Sequence, residues 1–116
     1  MQNPYPFDLM ENGGNYTIAA ALESEELYTT YYPFFETHGY EGNGYCWEGH
    51  IIQILEKTDK ELLNHIEFDP EAGSFYAYAD SKEAQLKFAE VLSPIFADLE
   101  QLEKYVKLAD RSRVDD

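Results

Sequence analysis

Apolar and polar positions change period along this chain, and the changes mark its elements. Residues 6–11 (PFDLME) read as a short strand, and Asn12-Gly13-Gly14-Asn15 is a hairpin turn, because glycine supplies the positive φ such turns need. In residues 15–22 (NYTIAAAL), Tyr16, Ile18, Ala20 and Leu22 share one face by the period of two. Ser24 can cap a helix over 25–38 whose first turn holds Glu25 and Glu26. The same stretch contains the β-prone run LYTTYY, and Pro33 disfavours helix at Tyr32, so both conformations stay open there.

Helical spacing is plainer further on. Trp47, Ile51, Ile54 and Leu55 form one stripe and predict a helix over roughly 45–57. Thr58-Asp59-Lys60-Glu61 has the capping-box pattern and predicts a further short turn. Residues 64–69 and 74–79 predict a second hairpin, turned at Pro70-Glu71-Ala72-Gly73, with Gly73 in the left-handed position. From Asp80 and Glu83, a second box-like start, Ala84, Phe88, Val91, Leu92, Ile95, Phe96, Leu99, Leu102 and Val106 recur at helical spacing. Ser93-Pro94 pairs a good cap with a good first helical residue and predicts a break there. Glu100–Lys104 and Glu103–Lys107 mark an exposed helix face. The order of elements predicts a single α+β domain over residues 1–116, an antiparallel sheet of about four strands packed against helices. Residues 1–5 and 111–116 are expected to be flexible.

Charge adds what the pattern does not show. The first 56 residues hold nine acids and no lysine or arginine; the remainder holds 14 acids and 8 bases, so the net −15 divides as −9 and −6. Seven of the ten tyrosines lie in the base-free part. Such a chain is repelled by phosphate backbones and anionic lipid, which disfavours direct nucleic-acid or membrane-surface binding. It suits a cationic protein partner instead. No run approaches a membrane span and no secretory signal is visible, so a cytoplasmic protein is expected. Cys46 is the single cysteine, which leaves no disulfide within the chain.

Catalytic signals are poor. Gly39, Gly42 and Gly44 have neither dinucleotide spacing nor a following lysine. Cys46 and His50 are four apart, but no further ligand pair stands at zinc spacing and no orienting group completes a thiol–base pair. Glu36, Glu41 and Glu48 can be paired as acid and base, as can many carboxylates in so acidic a chain. No cofactor, metal or catalytic residue is expected. The loop around residues 38–48 reads better as a binding surface, because it mixes rigid aromatics with anionic groups. Trp47 lies on the apolar stripe and is expected in the core, while Tyr40, Glu41 and Asn43 are expected to be exposed.

Two stretches carry a resemblance. HGYEGNGYCWEGHI at 38–51 and IEFDPEAGSFYAYADSKEAQLKFAEVL at 66–92 resemble the immunity protein 51 family of bacterial polymorphic-toxin systems. A Gly-x-Gly-Tyr-x-Trp run matches Gly42 to Trp47, and an Asp-Pro-Glu-Ala-Gly-x-Phe run matches Asp69 to Phe75. The resemblance implies a small cytoplasmic, non-catalytic protein that binds and neutralises a cognate toxin domain. The charge reading independently asks for a basic partner, and a nuclease would fit. The expected toxin contacts are Glu36, Tyr40, Glu41, Asn43, Tyr45 and Glu48. Two other readings compete: a phosphate-mimicking regulator of a DNA-binding protein, and a small carboxylate-dependent hydrolase with two facing acids in a deep pocket.

Overall fold

A computed structural model describes residues 3–115. The chain folds as β1 (Asp8–Asn12), β2 (Asn15–Ala20), α1 (Glu25–Thr37), α2 (Gly44–Thr58), a 3-10 turn (Lys60–His65), β3 (Ile66–Phe68), β4 (Phe75–Ala79), α3 (Lys82–Phe96), α4 (Leu99–Leu108) and a last 3-10 turn (Arg111–Arg113). The four strands form one antiparallel sheet in the order β1-β2-β4-β3. Gly13 and Gly14 both have positive φ, 59° and 90°, as a two-residue hairpin turn requires. Gly73, expected in the left-handed region, does not adopt it; positive φ among the described residues is confined to Gly13, Gly14, Gly39 and Gly42.

The open question at 25–38 resolves as helix. Ser24 Oγ accepts from the Leu27 N–H at 3.4 Å, and Pro33 sits inside the helix. Leu27, Tyr31 and Phe35, spaced by four, are buried together, and this outweighs the local cost of the proline. Tyr31 donates its hydroxyl to the Phe96 carbonyl at 2.7 Å, which fixes α1 against the end of α3.

The expected break at Ser93-Pro94 is not there. Helix α3 runs through both residues to Phe96, and the chain turns at Ala97-Asp98, where Asp98 Oδ1 caps α4 by accepting from Glu100 N–H at 3.1 Å. Ser93 does not cap a helix. Its buried hydroxyl lies 2.5 Å from the Tyr5 carbonyl and 3.1 Å from that of Asn3, a use for serine that no local pattern can reveal. Leu92, Ile95 and Phe96 keep their stripe on the core through the proline. The other starts also differ from expectation. Ser81, not Asp80, caps α3 by accepting from Ala84 N–H at 3.1 Å. Thr58 donates back to Ile54 and makes no capping box. Residues 111–115, expected as a flexible tail, make a turn against α2: Arg113 forms a two-pronged pair with Glu56 at 2.7 and 2.9 Å, and Val114 lies over Gly49. Residues 1, 2 and 116 of the two segments expected to be flexible lie outside the described residues.

Trp47 lies at the centre of the core, fully buried, with the rings of Phe96 at 4.7 Å, Tyr31 at 5.0 Å and Phe7 at 6.0 Å. Helices α2 and α3 pack on one face of the sheet, to which Ile18, Ala20, Phe75, Ala77, Ala79 and Ile66 point. By the period of two, Asp8 and Met10 of β1, Thr17 and Ala19 of β2, Tyr76 and Tyr78 of β4 and Glu67 of β3 point the other way.

Candidate partner-binding surface

The loop 38–43 links the end of α1 to the start of α2, and the needs of the backbone take up much of its chemistry. Asn43 is the N-cap of α2: its Oδ1 accepts from Cys46 N–H at 2.9 Å. Gly44 packs directly against the β3–β4 turn, where a Cβ would stand 1.9 Å from the Glu71 carbonyl oxygen and 2.3 Å from that of Ser74. Its own N–H donates to the Ala72 carbonyl at 3.2 Å.

The expected exposure of Tyr40 is not observed. Its ring is buried, edge-on to His50 at 4.7 Å, with the Arg111 guanidinium 4.3 Å above it. Arg111 also donates to the Gly39 carbonyl, so a cation from far along the chain already occupies this part of the base-free half. Asn43 is half-buried through its capping role. Glu48 is half-buried, and that burial, with the Asp115 carboxylate adding to it, raises its pKa above the usual carboxylate value. Glu36, Glu41 and Tyr45 are exposed.

A neighbouring group was missed from the sequence. The rings of Tyr28 and Tyr32, one helical turn apart on α1, lie 4.6 Å apart at a tilt of 34°, and Tyr28 is 52% exposed. The Tyr32 phenol is pushed up by burial first, then by the Glu23 carboxylate, with Glu41 also contributing. Glu23 itself lies against the second hairpin turn, its carboxylate 2.6 Å from where a Gly73 Cβ would be. Glu23, Tyr28, Tyr32 and Glu41 thus line one rim where α1, the glycine loop and the hairpin turn meet. The spacing of the two tyrosines by four was the available signal, but it has meaning only once 25–37 is accepted as helix.

The site offers contact chemistry. Among the described residues no group of three or more His, Cys, Asp or Glu is placed to hold a metal ion. Cys46 and His50 are 0% and 1% exposed, inside the core between α1 and α2. His65 Nδ1 is 2.7 Å from Asp80 Oδ2, a half-exposed pair that raises the His65 pKa through that hydrogen bond.

Residues 7–111 match the family described as Immunity protein 51. The chain belongs to that family. No curated protein and no solved structure matches it. The immunity protein 51 match takes in all four strands, all four α-helices and the whole rim. Membership of an immunity-protein family implies a toxin as partner and a role in binding. Among the described residues, no helix is long and apolar enough to cross a membrane.

Proposed function

We propose that this chain is an immunity protein that acts in the cytoplasm by binding a basic cognate toxin domain, possessing no catalytic activity of its own. The observation that carries this is the rim itself: two tyrosine rings in contact, flanked by Glu23 and Glu41, in a stretch of chain with no lysine or arginine of its own. Aromatic side chains held on a helix supply contact area at low entropic cost, and the carboxylates complement lysine or arginine. Complementary charge raises association from ~10⁵–10⁶ toward ~10⁸–10⁹ M⁻¹s⁻¹ at low salt, which suits capture of a toxin before it acts. Among the earlier candidates, Glu36, Glu41 and Tyr45 are the open ones, and Glu48 is a carboxylate whose unfavourable ionisation a partner's cation would relieve. Tyr40 and Asn43 support the loop from beneath.

Co-expression with the toxin encoded beside this chain tests the proposal. Survival of the host and co-purification of the two proteins are expected; death together with no co-purification overturns it. Glu23→Lys with Glu41→Lys should slow association and flatten its salt dependence.

A further inference from the structure

The face of the sheet turned away from α2 and α3 carries exposed Asp8, Met10 and Glu67, half-buried Thr17, Tyr76 and Tyr78, and a buried Ala19 between them. Register sets two rows across it: Asp8, Ala19 and Tyr76 in one, and Met10, Thr17, Tyr78 and Glu67 in the next. Asp69 extends the first row, since its N–H donates to the Tyr76 carbonyl at 2.9 Å. Met10 is 44% exposed, and Tyr76 and Tyr78 are half-buried without belonging to the core cluster. Tyr78 donates its hydroxyl to Asp69 in a long, exposed hydrogen bond of 3.3 Å, which brings the ring and the carboxylate together. Not one residue of the four strands is lysine or arginine. At one end of the face a groove of ≈ 400 Å³ opens between Asn15, Glu67, Tyr78 and Asp80.

We propose that this open sheet face docks a lysine- and arginine-bearing segment of the toxin, with Tyr76 and Tyr78 as anchors and Asp8, Glu67 and Asp69 as the charges around them. The proposal rests on the reading of the chain as a toxin-binding protein and extends it to a second region. Charge selects the occupant. A second copy of this chain would set the same acids against one another, and like charges across an interface oppose association. Nucleic acid and anionic lipid are repelled for the same reason. A basic protein segment with aliphatic stems can lie on the tyrosine rings while its cations reach the carboxylates. The hairpin turn 70–74 joins this face to the rim of Glu23 and Glu41, so one partner can cover both.

The test measures binding of the cognate toxin domain by wild-type chain and three folded variants, checked by circular dichroism and melting. Tyr76→Ser with Tyr78→Ser should weaken affinity about tenfold or more, mainly through faster dissociation. Asp8→Lys with Glu67→Lys should slow association and flatten its salt dependence more than Glu90→Lys with Glu100→Lys, an equal charge change on exposed helix positions. Should the tyrosine variant fail to fold, the two charge variants still decide. If the wild type binds and the sheet variants match it within about twofold, well below the effect of a hot spot, the sheet face is wrong and the immunity reading stands. If the wild type itself neither binds nor protects, both fall. Self-association of the wild type that the tyrosine changes abolish would assign the face to a second copy and overturn the proposal.

Discussion

The glycine-rich loop and the open face of the sheet make opposite uses of tyrosine and carboxylate. In the loop, the residues that look most functional are largely consumed by the fold. Asn43 caps α2, Gly44 admits the hairpin turn, and Tyr40 is sandwiched between His50 and Arg111. On the sheet, Asp8, Met10 and Glu67 are exposed and Tyr76 and Tyr78 partly so, on the side opposite to α2 and α3. A dense motif therefore marks where the backbone needs particular residues at least as surely as where a partner binds. The rim beside the loop belongs with the sheet face in this respect: Tyr28 and Glu41 are exposed.

If this contrast is sound, loop substitutions read out as stability and sheet-face substitutions do not. The largest effect is expected for Gly44→Ala. Its Cβ would overlap backbone oxygens that cannot move alone, so urea denaturation should show a loss of about 3 kcal/mol or more. A loss below about 1 kcal/mol would mean that the hairpin turn yields easily and that the loop is not the tight junction described. Asn43→Ala should cost about 1 kcal/mol through the lost cap, with Asn43→Asp restoring most of it. Tyr78→Ser removes a cross-strand contact and an exposed hydrogen bond, so its cost should stay under about 1 kcal/mol while its effect on toxin binding is large.

The smallest effect concerns Glu48. Its folded-state pKa is raised, so the carboxyl favours the fold while protonated, below its unfolded value, and that contribution disappears as pH rises through the folded value. At neutral pH the ionised group opposes folding. Glu48→Gln should thus stabilise by no more than about 0.5 kcal/mol at pH 7, and the gain should vanish near pH ~3. Calorimetric melts at the two pH values check the sign. A destabilised Gln variant at pH 7 would show that the carboxylate has a compensating partner.

Much of the fold was legible because local chemistry and global need agree. Gly13-Gly14 admits a primed hairpin turn, and Trp47, Ile51, Ile54 and Leu55 can only be one face of a buried helix. Where they disagree, tertiary contacts decide. Pro33 and the β-branched threonines argue against α1, yet burial of Leu27, Tyr31 and Phe35 forms it. Ser93-Pro94 looks like a helix start until the Tyr5 carbonyl, 88 residues away in sequence, takes the serine hydroxyl. The candidate surface was legible in kind but less so in position. Acidity and tyrosine content pointed to a cationic partner. Their places depended on whether 25–37 is helical and on which side of the sheet the helices lie, and neither follows from spacing alone.

The packing of residues 110–115 on α2 has a temporal consequence. Arg111 and Arg113 meet Gly39 and Glu56, 72 and 57 residues earlier. A ribosome therefore releases the wholly acidic stretch long before the guanidinium groups that will fasten it. The nascent first half carries its nine carboxylates without these guanidinium partners until translation reaches them.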